Sequence, residues 1–390
     1  MKKLIAVFAV LLFVAPAFAA DWAFYGSQRV ATWYNSQNFG DNQVAGQDND
    51  AGTQWYLQGN SRLGVKVKAD KVTGQIELAT TASTTDSAGD GPVNTRRAYG
   101  VWKFSDNAWL KVGKDYSPTT DFISNQWYDG DNDLLGNGNF YGRRPQGITL
   151  GVGNFEIAFL TPQQGNTGGI GSTTTGILNP TTAVALPAPT GATGDPDVYF
   201  PKIEASYNLV LGPGYIKPFG GFQYYKVNSS APTQGVTDSI DLYSGVIGVS
   251  TSWNIGAFSI GGQVSYGMNE GLSNWAGGYT TATNSLPILK RDGDKVADSY
   301  TLQAMIVPAL KFTDTLRFEA GLGYRQDNWT SAPGYSLKDE ALVYYVQAMI
   351  TLAPGVYLCP EVGYIDYMDN RAGNDEGYKW YAGAKWQIDF

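Results

Sequence analysis

The sequence contains no histidine, and its only cysteine is Cys359. Without histidine, neither Ser-His-Asp nor Cys-His catalysis has its base, and histidine-ligated zinc, copper and haem sites are excluded. A single cysteine cannot form an internal disulfide bond, and the apolar sequence around Cys359 predicts a packed thiol. No acid–base pair stands out among the 35 carboxylates. We therefore expect a protein that is not an enzyme and has no cofactor.

Long hydrophobic runs are also scarce. Residues 1–19 combine the basic Lys2 and Lys3 with an apolar stretch at 4–14 and an Ala-Phe-Ala sequence, which is typical of a signal peptide cleaved before Ala20. Because the apolar stretch is far shorter than the ~20 residues of a membrane-spanning helix, we expect export and not a retained anchor. The mean hydropathy of the chain is −0.23, and no helical membrane span is predicted.

Basic residues are outnumbered by acidic ones. Removal of residues 1–19 would leave 25 Lys and Arg against 35 Asp and Glu. Nucleic acids bind basic patches, so we expect no nucleic-acid partner.

Aromatic residues and glycine, in contrast, are abundant. Aromatic residues make up 14% of the chain, with 25 Tyr and 11 Trp, beside 48 Gly and only 16% charged residues. This mixture is typical of a transmembrane β-barrel with aromatic girdles and alternating strands. Alternation of apolar and polar side chains is clearest at 55–68 and 378–390. A barrel of this kind would use 20–390 as one domain.

The alternating segments predict an all-β protein, a transmembrane antiparallel β-barrel of sixteen strands. Tight turns and long loops alternate between the segments, and an even strand number places both termini on the periplasmic side. The segment at about 162–198 is low in complexity and charge and predicts a long extracellular loop. The predicted strands are 22–35, 54–68, 74–84, 95–104, 109–116, 145–152, 155–161, 199–211, 215–227, 240–253, 257–268, 299–312, 316–327, 341–352, 356–368 and 378–390.

Residues 94–150 contain a basic strand with Arg96 and Arg97, then a strand ending in Val-Gly-Lys, then a long acidic loop, then Arg143 and Arg144. This order of motifs resembles the general diffusion porins of Gram-negative bacteria. The loop differs from the enteric pattern because it has no Pro-Glu-Phe-Gly-Gly stretch. The resemblance implies an outer-membrane channel for passive diffusion of small hydrophilic solutes and ions, with a third loop at about 117–144 folded into the lumen.

The same resemblance implies partners. Such porins are homotrimers, whose second loop, here 85–93, reaches into a neighbouring subunit. They lie among the lipids and lipopolysaccharide of the bacterial outer membrane. A C-terminal aromatic residue, here Phe390, resembles the signal that the barrel assembly machinery reads.

The predicted constriction opposes acidic and basic side chains across the lumen. By alternation Arg29 and Arg62 face the lumen, and so does Arg97, whereas the family pattern favours Arg96; the choice between the last two stays open. Opposed charges create a transverse field that orients polar solutes, and the acidic excess leads us to expect a slight preference for cations. The candidates are Asp121, Asp129, Asp131 and Asp133 on the acidic side and Arg29, Arg62, Arg96, Arg97, Arg143 and Arg144 on the basic side.

Alternation also predicts charged side chains elsewhere on the lumen wall. Both signs occur among them, which favours a general pore over a strongly cationic phosphate channel. These residues are Lys66, Lys68, Glu77, Lys111, Glu156, Lys202, Glu204, Arg317, Glu319, Arg325, Glu361, Lys379 and Lys385.

Three alternatives stay open. Asp129, Asp131 and Asp133 have the spacing of a calcium loop, but its glycine and glutamate positions hold Leu134 and Phe140, so calcium is only an option. The channel could be selective for sugars or anions. The chain could also be a surface adhesin or structural barrel plugged by its loops.

Overall fold

A computed structural model describes most of the chain. The described residues are 20–40, 50–80, 93–162, 194–229, 239–275, 277–280, 285, 287–289, 296–329, 338–370 and 373–390. The expected signal peptide at 1–19 and most of the expected loops at 85–93 and 162–198 lie outside them.

The strands form a closed antiparallel barrel. Each wall strand pairs with the next along the chain, and the last pairs with the first through Ser27–Asp389 to Asn38–Tyr378. The strands are β1 Asp21–Asn38, β2 Asp50–Leu57, β3 Arg62–Ala69, β4 Val72–Ala79, β5 Asn94–Ser105, β6 Ala108–Lys114, β7 Gln146–Val152, β8 Phe155–Leu160, β9 Gly194–Asp197, β10 Lys202–Tyr207, β11 Leu209–Leu211, β12 Gly214–Ser229, β13 Ile240–Ile255, β14 Phe258–Met268, β15 Ile288–Leu289, β16 Val296–Ala297, β17 Ser299–Lys311, β18 Leu316–Trp329, β19 Lys338–Ala353, β20 Val356–Asp366 and β21 Tyr378–Asp389.

Sixteen wall strands result when the interrupted strands are joined. β2 and β3 both pair with β1 and form the second wall strand, and β9, β10 and β11 all pair with β12 and form the eighth. Among the described residues, β15 and β16 pair only with each other. The predicted sixteen-stranded barrel is therefore confirmed.

Period-two alternation determines which side chains face out. In β1, Phe24, Val30 and Tyr34 are exposed at 66%, 39% and 39%, whereas Arg29 and Trp33, of opposite parity, are buried inside. Large apolar side chains are exposed on most of the other wall strands as well, from Trp55 on β2 to Ile388 on β21. Apolar outside and polar inside is the arrangement of a barrel surrounded by lipid.

The alternation at 54–68 predicted one continuous strand, but the second wall strand is interrupted between Leu57 and Arg62. Between β2 and β3, residues 58–61 depart from regular strand pairing. The backbone N–H of Gln58 donates to the Arg29 carbonyl at 2.9 Å. The side chains of Gln58 and Asn60 turn into the barrel. The Gly59-Asn60 pair, a common turn sequence, is the local cause.

Turns and connections follow the sequence. Gly153 and Gly355 adopt φ of 58° and 78° in two tight turns, a conformation that side chains with Cβ disfavour. Cys359 is buried, as predicted. The only α-helix in the described part of the chain is a single distorted turn, α1 (Tyr128–Asp131). Among the described residues no helix is long and apolar enough to cross a membrane.

Candidate functional site

Residues 115–145, here called the inner loop, connect β6 to β7 and lie against the interior wall. Asn125 donates its backbone N–H to Glu319 on β18 at 2.8 Å, and Trp127 donates its own to Glu361 on β20 at 2.7 Å. On the other side of the barrel, Thr119 donates to Glu204 on β10 at 2.5 Å. Because these carboxylates face inward, the inner loop crosses the interior between distant strands.

Aromatic packing holds the middle of the inner loop. The Tyr128 ring stacks on Tyr381 with centroids 3.7 Å apart and planes 9° apart, and Trp33 packs edge-on against both rings. Tyr128 also donates its hydroxyl to Asn35 at 2.7 Å. Offset and edge-on aromatic pairs each contribute about 0.5–1.5 kcal/mol beyond the area that they bury. This contact fixes the inner loop against β1 and β21.

A second inward segment, residues 269–275 and 277–280, follows β14 and packs beside the inner loop. The Trp275 ring lies 5.5 Å from that of Phe140, and its indole N–H donates to Glu204 at 2.9 Å. Asn132 of the inner loop donates to the Tyr279 hydroxyl at 3.0 Å. The two segments together cover the interior charges of several strands: Lys202, Glu204, Arg325, Asp327 and Lys385 each expose at most 1% of their side chains.

The four predicted acidic residues occupy different surroundings. Asp121 accepts from the hydroxyls of Tyr215 and Ser250, at 2.8 and 2.6 Å. Asp131 is ion-paired with Arg29 and with Lys385, whose Nζ lies 3.3 Å from Oδ1. The predicted acidic residues therefore do not line up as a single acidic side of a constriction.

Desolvation changes the pKa values of the other two predicted acidic residues, Asp129 and Asp133. It raises the pKa of Asp129, and the nearby Lys379 partly opposes that shift. It raises the pKa of Asp133 well above its ordinary value, and Asp131 adds to the rise. Among the described residues no three metal-ligating side chains cluster, and Asp131 is already paired with two cations. The structure thus gives the calcium option no support, and it remains untested.

Predicted basic residues meet at Tyr116. Arg96 and Arg144 each donate to the Tyr116 hydroxyl oxygen at 3.2 Å, and the Arg97 guanidinium lies 5.2 Å from the centre of its ring. Arg62 lies nearby, 3.7 Å from Glu77, which also accepts from Arg96 at 2.9 Å. Four of the six predicted arginines are therefore neighbours.

The remaining two predicted arginines lie elsewhere. Arg29 belongs to the Asp131 ion pair. Arg143 donates to the Asn274 carbonyl at 2.6 Å, which links the inner loop to the second inward segment. Desolvation lowers the pKa of Arg143.

A bulge explains why both Arg96 and Arg97 face inward. Between β4 and β5 the pairing steps from Glu77–Arg97 directly to Leu78–Thr95, so Arg96 is the extra residue. A bulge re-aims the extra side chain, and here it directs Arg96 to Glu77. Alternation predicted Arg97 inside and the family pattern predicted Arg96 inside; the bulge lets Arg96 reach Glu77 while Arg97 reaches Asp115.

The carboxylates next to these arginines are more deeply buried than the arginines themselves. Asp115 accepts from Arg97 at 2.6 Å and from Lys111 at 2.8 Å. Burial raises the pKa of Asp115, but these hydrogen bonds outweigh it and the net shift is downward. Asp115 and Glu77 expose 9% and 3% of their side chains, against 23% for both Arg62 and Arg97.

The candidate site residues named from the sequence did not include the tyrosines and amides of the site. Tyr25 donates to Glu77 at 2.8 Å, and Tyr99 donates to Gln75 at 2.9 Å. Both have the inward parity of their strands, which is the signal that could have identified them. Glu319 and Glu361 were predicted to face the lumen, but nothing in the sequence shows that they bind the inner loop.

The closed antiparallel barrel, with its apolar exterior and charged interior, defines a transmembrane β-barrel fold. No protein-family model matches the chain, and neither does any curated protein. The outer membrane channel DcaP of Acinetobacter baumannii is similar in structure, with 16% identity, a TM-score of 0.65 and coverage of 95% of this chain and 97% of that one.

Two other solved structures show the same fold. OmpF of Salmonella typhi, in complex with daunomycin, has 12% identity and a TM-score of 0.55, over 94% of this chain and 97% of that one. OmpT of Vibrio cholerae, an outer membrane protein, has 13% identity and a TM-score of 0.53, over 95% and 98%. The chain therefore has the fold of the bacterial outer-membrane porins.

Proposed function

We propose that this chain is an outer-membrane porin that lets small hydrophilic solutes and ions diffuse passively through its barrel, with the inner loop as the constriction. The observation that carries this proposal is the inner loop itself, tied across the interior by Glu319, Glu361 and Glu204. Barrels of sixteen strands enclose an aqueous lumen, and a loop fixed inside such a lumen narrows it.

The proposal includes no enzymatic step. The chain has no histidine, and the interior carboxylates accept hydrogen bonds from the loops and from tyrosines, which assigns them a structural role. The proposal further includes export through the segment 1–19, assembly by the barrel machinery, contact with lipopolysaccharide and a homotrimeric state.

A denaturing gel tests the homotrimeric state. Migration of the unheated protein as a trimer, and as a monomer after heating, would support it.

A plugged barrel is the second candidate. The observation that favours it is the complete burial of interior charges such as Lys202, Arg325 and Lys385 beneath the two inward segments. A structural or adhesive barrel of this kind would conduct no solute.

Liposome swelling distinguishes the two candidates. Vesicles containing the purified barrel are diluted into isotonic pentose, disaccharide and tetrasaccharide solutions, and light scattering follows the entry of sugar. A porin gives swelling that slows as the sugar becomes larger. Swelling no faster than that of protein-free vesicles for all three sugars contradicts passive diffusion and supports the plugged barrel.

A further inference from the structure

The interior is electrostatically uneven. Arg62, Arg96, Arg97, Lys111 and Arg144, here called the basic wall, contribute five positive charges around Tyr99 and Tyr116. Among the described residues, the carboxylates within ion-pair distance of them are Glu77 and Asp115, so an excess of positive charge remains.

Water reaches this charge. The basic-wall side chains Arg62, Arg96, Arg97 and Lys111 expose between 11% and 23% of their surface. The charged side chains beneath the inward segments, such as Arg325 and Asp327, expose at most 1%. Of these two sets of charges, a solute in the pore therefore meets the cations of the basic wall.

Arg144 is the clearest donor for an anion. It makes a hydrogen bond to the Tyr116 hydroxyl and lies over that ring, 5.2 Å from its centre, and it pairs with no carboxylate among the described residues. Guanidinium groups bind carboxylate and phosphate oxygens through two parallel hydrogen bonds. The stacking on Tyr116 fixes the orientation of the guanidinium.

An apolar surface lies next to these donors. Phe122 of the inner loop is 45% exposed, although it is a large apolar residue inside the barrel. Its ring packs edge-on against Tyr116, with centroids 4.9 Å apart. Phe122 is thus close enough to contact the apolar part of a molecule whose oxyanion meets the arginines.

From this geometry we infer that the pore prefers anions and binds small solutes carrying an oxyanion at Arg144 and Tyr116, with the apolar part of the solute against Phe122. The inference rests on the proposed function as a water-filled channel, and it names the solute class that this channel takes. Rings of arginine and lysine select anions in pores generally.

Three of the four predicted loop aspartates do not cancel this preference, and the fourth, the exposed Asp129, lies near the positive charge of Lys379. Asp131 is neutralised by Arg29 and Lys385. Desolvation raises the pKa of Asp133 well above its ordinary value. Asp121 faces the opposite wall, where it accepts from Tyr215 and Ser250.

The first test is the reversal potential of the purified barrel in a planar bilayer under a KCl gradient. We expect chloride permeability to exceed potassium permeability by about threefold, and Arg144→Gln to lower that ratio by about twofold, with a smaller effect at high salt. Lys71→Gln is the matched control, since it removes one positive charge from an exposed turn and should leave the ratio unchanged. A cation preference in the wild type, or an unchanged ratio in Arg144→Gln, overturns the inference.

The second test uses benzoate, benzylammonium and inorganic phosphate as blockers of the chloride current. Benzoate and phosphate should block, whereas benzylammonium, with the same ring and the opposite charge, should not. Phe122→Ala should weaken the benzoate block by about fivefold and leave the phosphate block unchanged. Equal block by benzoate and benzylammonium contradicts the oxyanion site, and an unchanged benzoate block in Phe122→Ala contradicts the role of Phe122.

These failures differ from failure of the proposed function. A wild-type barrel that gives no current steps at all contradicts the channel. A barrel that conducts but prefers potassium contradicts only the anion preference.

Discussion

At the scale of single residues, inward-facing carboxylates hold the inner loop. Glu361 accepts from the backbone N–H groups of Trp127 and Tyr128, at 2.7 and 3.3 Å, and from the Tyr381 hydroxyl at 2.8 Å. Glu319 likewise accepts hydrogen bonds from the backbone N–H of Asn125 and from the Tyr345 hydroxyl. The two oxygens of a carboxyl group accept several hydrogen bonds at once, which suits it to anchor a loop whose backbone has no strand partner.

The substitution Glu361→Gln should loosen the inner loop. Glutamine has one acceptor oxygen, so one of the two backbone N–H groups loses its partner at a cost of about 1–3 kcal/mol. We expect larger and noisier single-channel currents than those of the wild type. Glu340→Gln is the control, because Glu340 contacts Tyr324 and not the inner loop. Wild-type currents from Glu361→Gln would show that Glu361 does not position the loop.

Glu270, in the turn Glu270–Ser273 after β14, should make stability depend on pH. Burial raises its pKa from 4.5 to about 8, and Arg325 only partly opposes this. The neutral form is thus the one that folding favours. Its contribution to stability is complete below pH 4.5 and is lost as the pH rises through about 8.

The heat-modifiability midpoint on denaturing gels should therefore be lower at pH 9 than at pH 5. Glu270→Gln, which cannot ionise, should reduce that difference by about 2 °C or more. A difference between pH 5 and pH 9 that is the same in Glu270→Gln as in the wild type would show that Glu270 does not titrate in this range.

How far single residues could be predicted depends on local regularity. Arg29 could be placed inside because β1 alternates without a break. Arg96 could not, because the bulge opposite Glu77 adds one residue to β5. Only the pairing of two strands shows such a bulge, and pairing is not encoded in the period of either strand alone.

At the scale of elements, the strands were predictable and the inner loop was only partly so. Turn residues such as Gly153 and Gly355 mark where strands end, and alternation marks their faces. The path of the inner loop depends instead on residues distant in sequence: Gln58 and Asn60, released by the interruption at 58–61, donate to the Trp127 and Gly130 carbonyls at 3.1 and 3.2 Å. No sequence period predicts such contacts.

The terminal strand leads to another prediction. Phe390 closes the barrel by exchanging backbone hydrogen bonds with Gly26, at 2.7 and 3.0 Å, and it is 69% exposed on the outer surface. Deletion of Phe390 removes these bonds and the aromatic end of the strand, so we expect much less folded barrel in the outer membrane. Phe390→Tyr, which keeps both, is the control. A wild-type yield of heat-modifiable barrel from the deletion variant would exclude Phe390 as an assembly signal.

At the scale of the whole molecule, the net charge does not predict the charge that a solute meets. The acidic excess of the sequence led us to expect a slight preference for cations. In the structure Glu77, Asp115 and Asp131 lie in ion pairs beneath or beside cations. The basic wall therefore presents an excess of positive charge that water reaches, and the anion preference proposed above is opposite to the composition-based expectation.

The central claim is that the barrel encloses a continuous water path past the inner loop. Single-channel recording of the wild-type protein in a planar bilayer tests it most directly. The claim predicts discrete current steps whose size is proportional to the applied voltage and rises with salt concentration. A folded, heat-modifiable barrel that inserts into the bilayer and gives no steps at any voltage or salt concentration would contradict it.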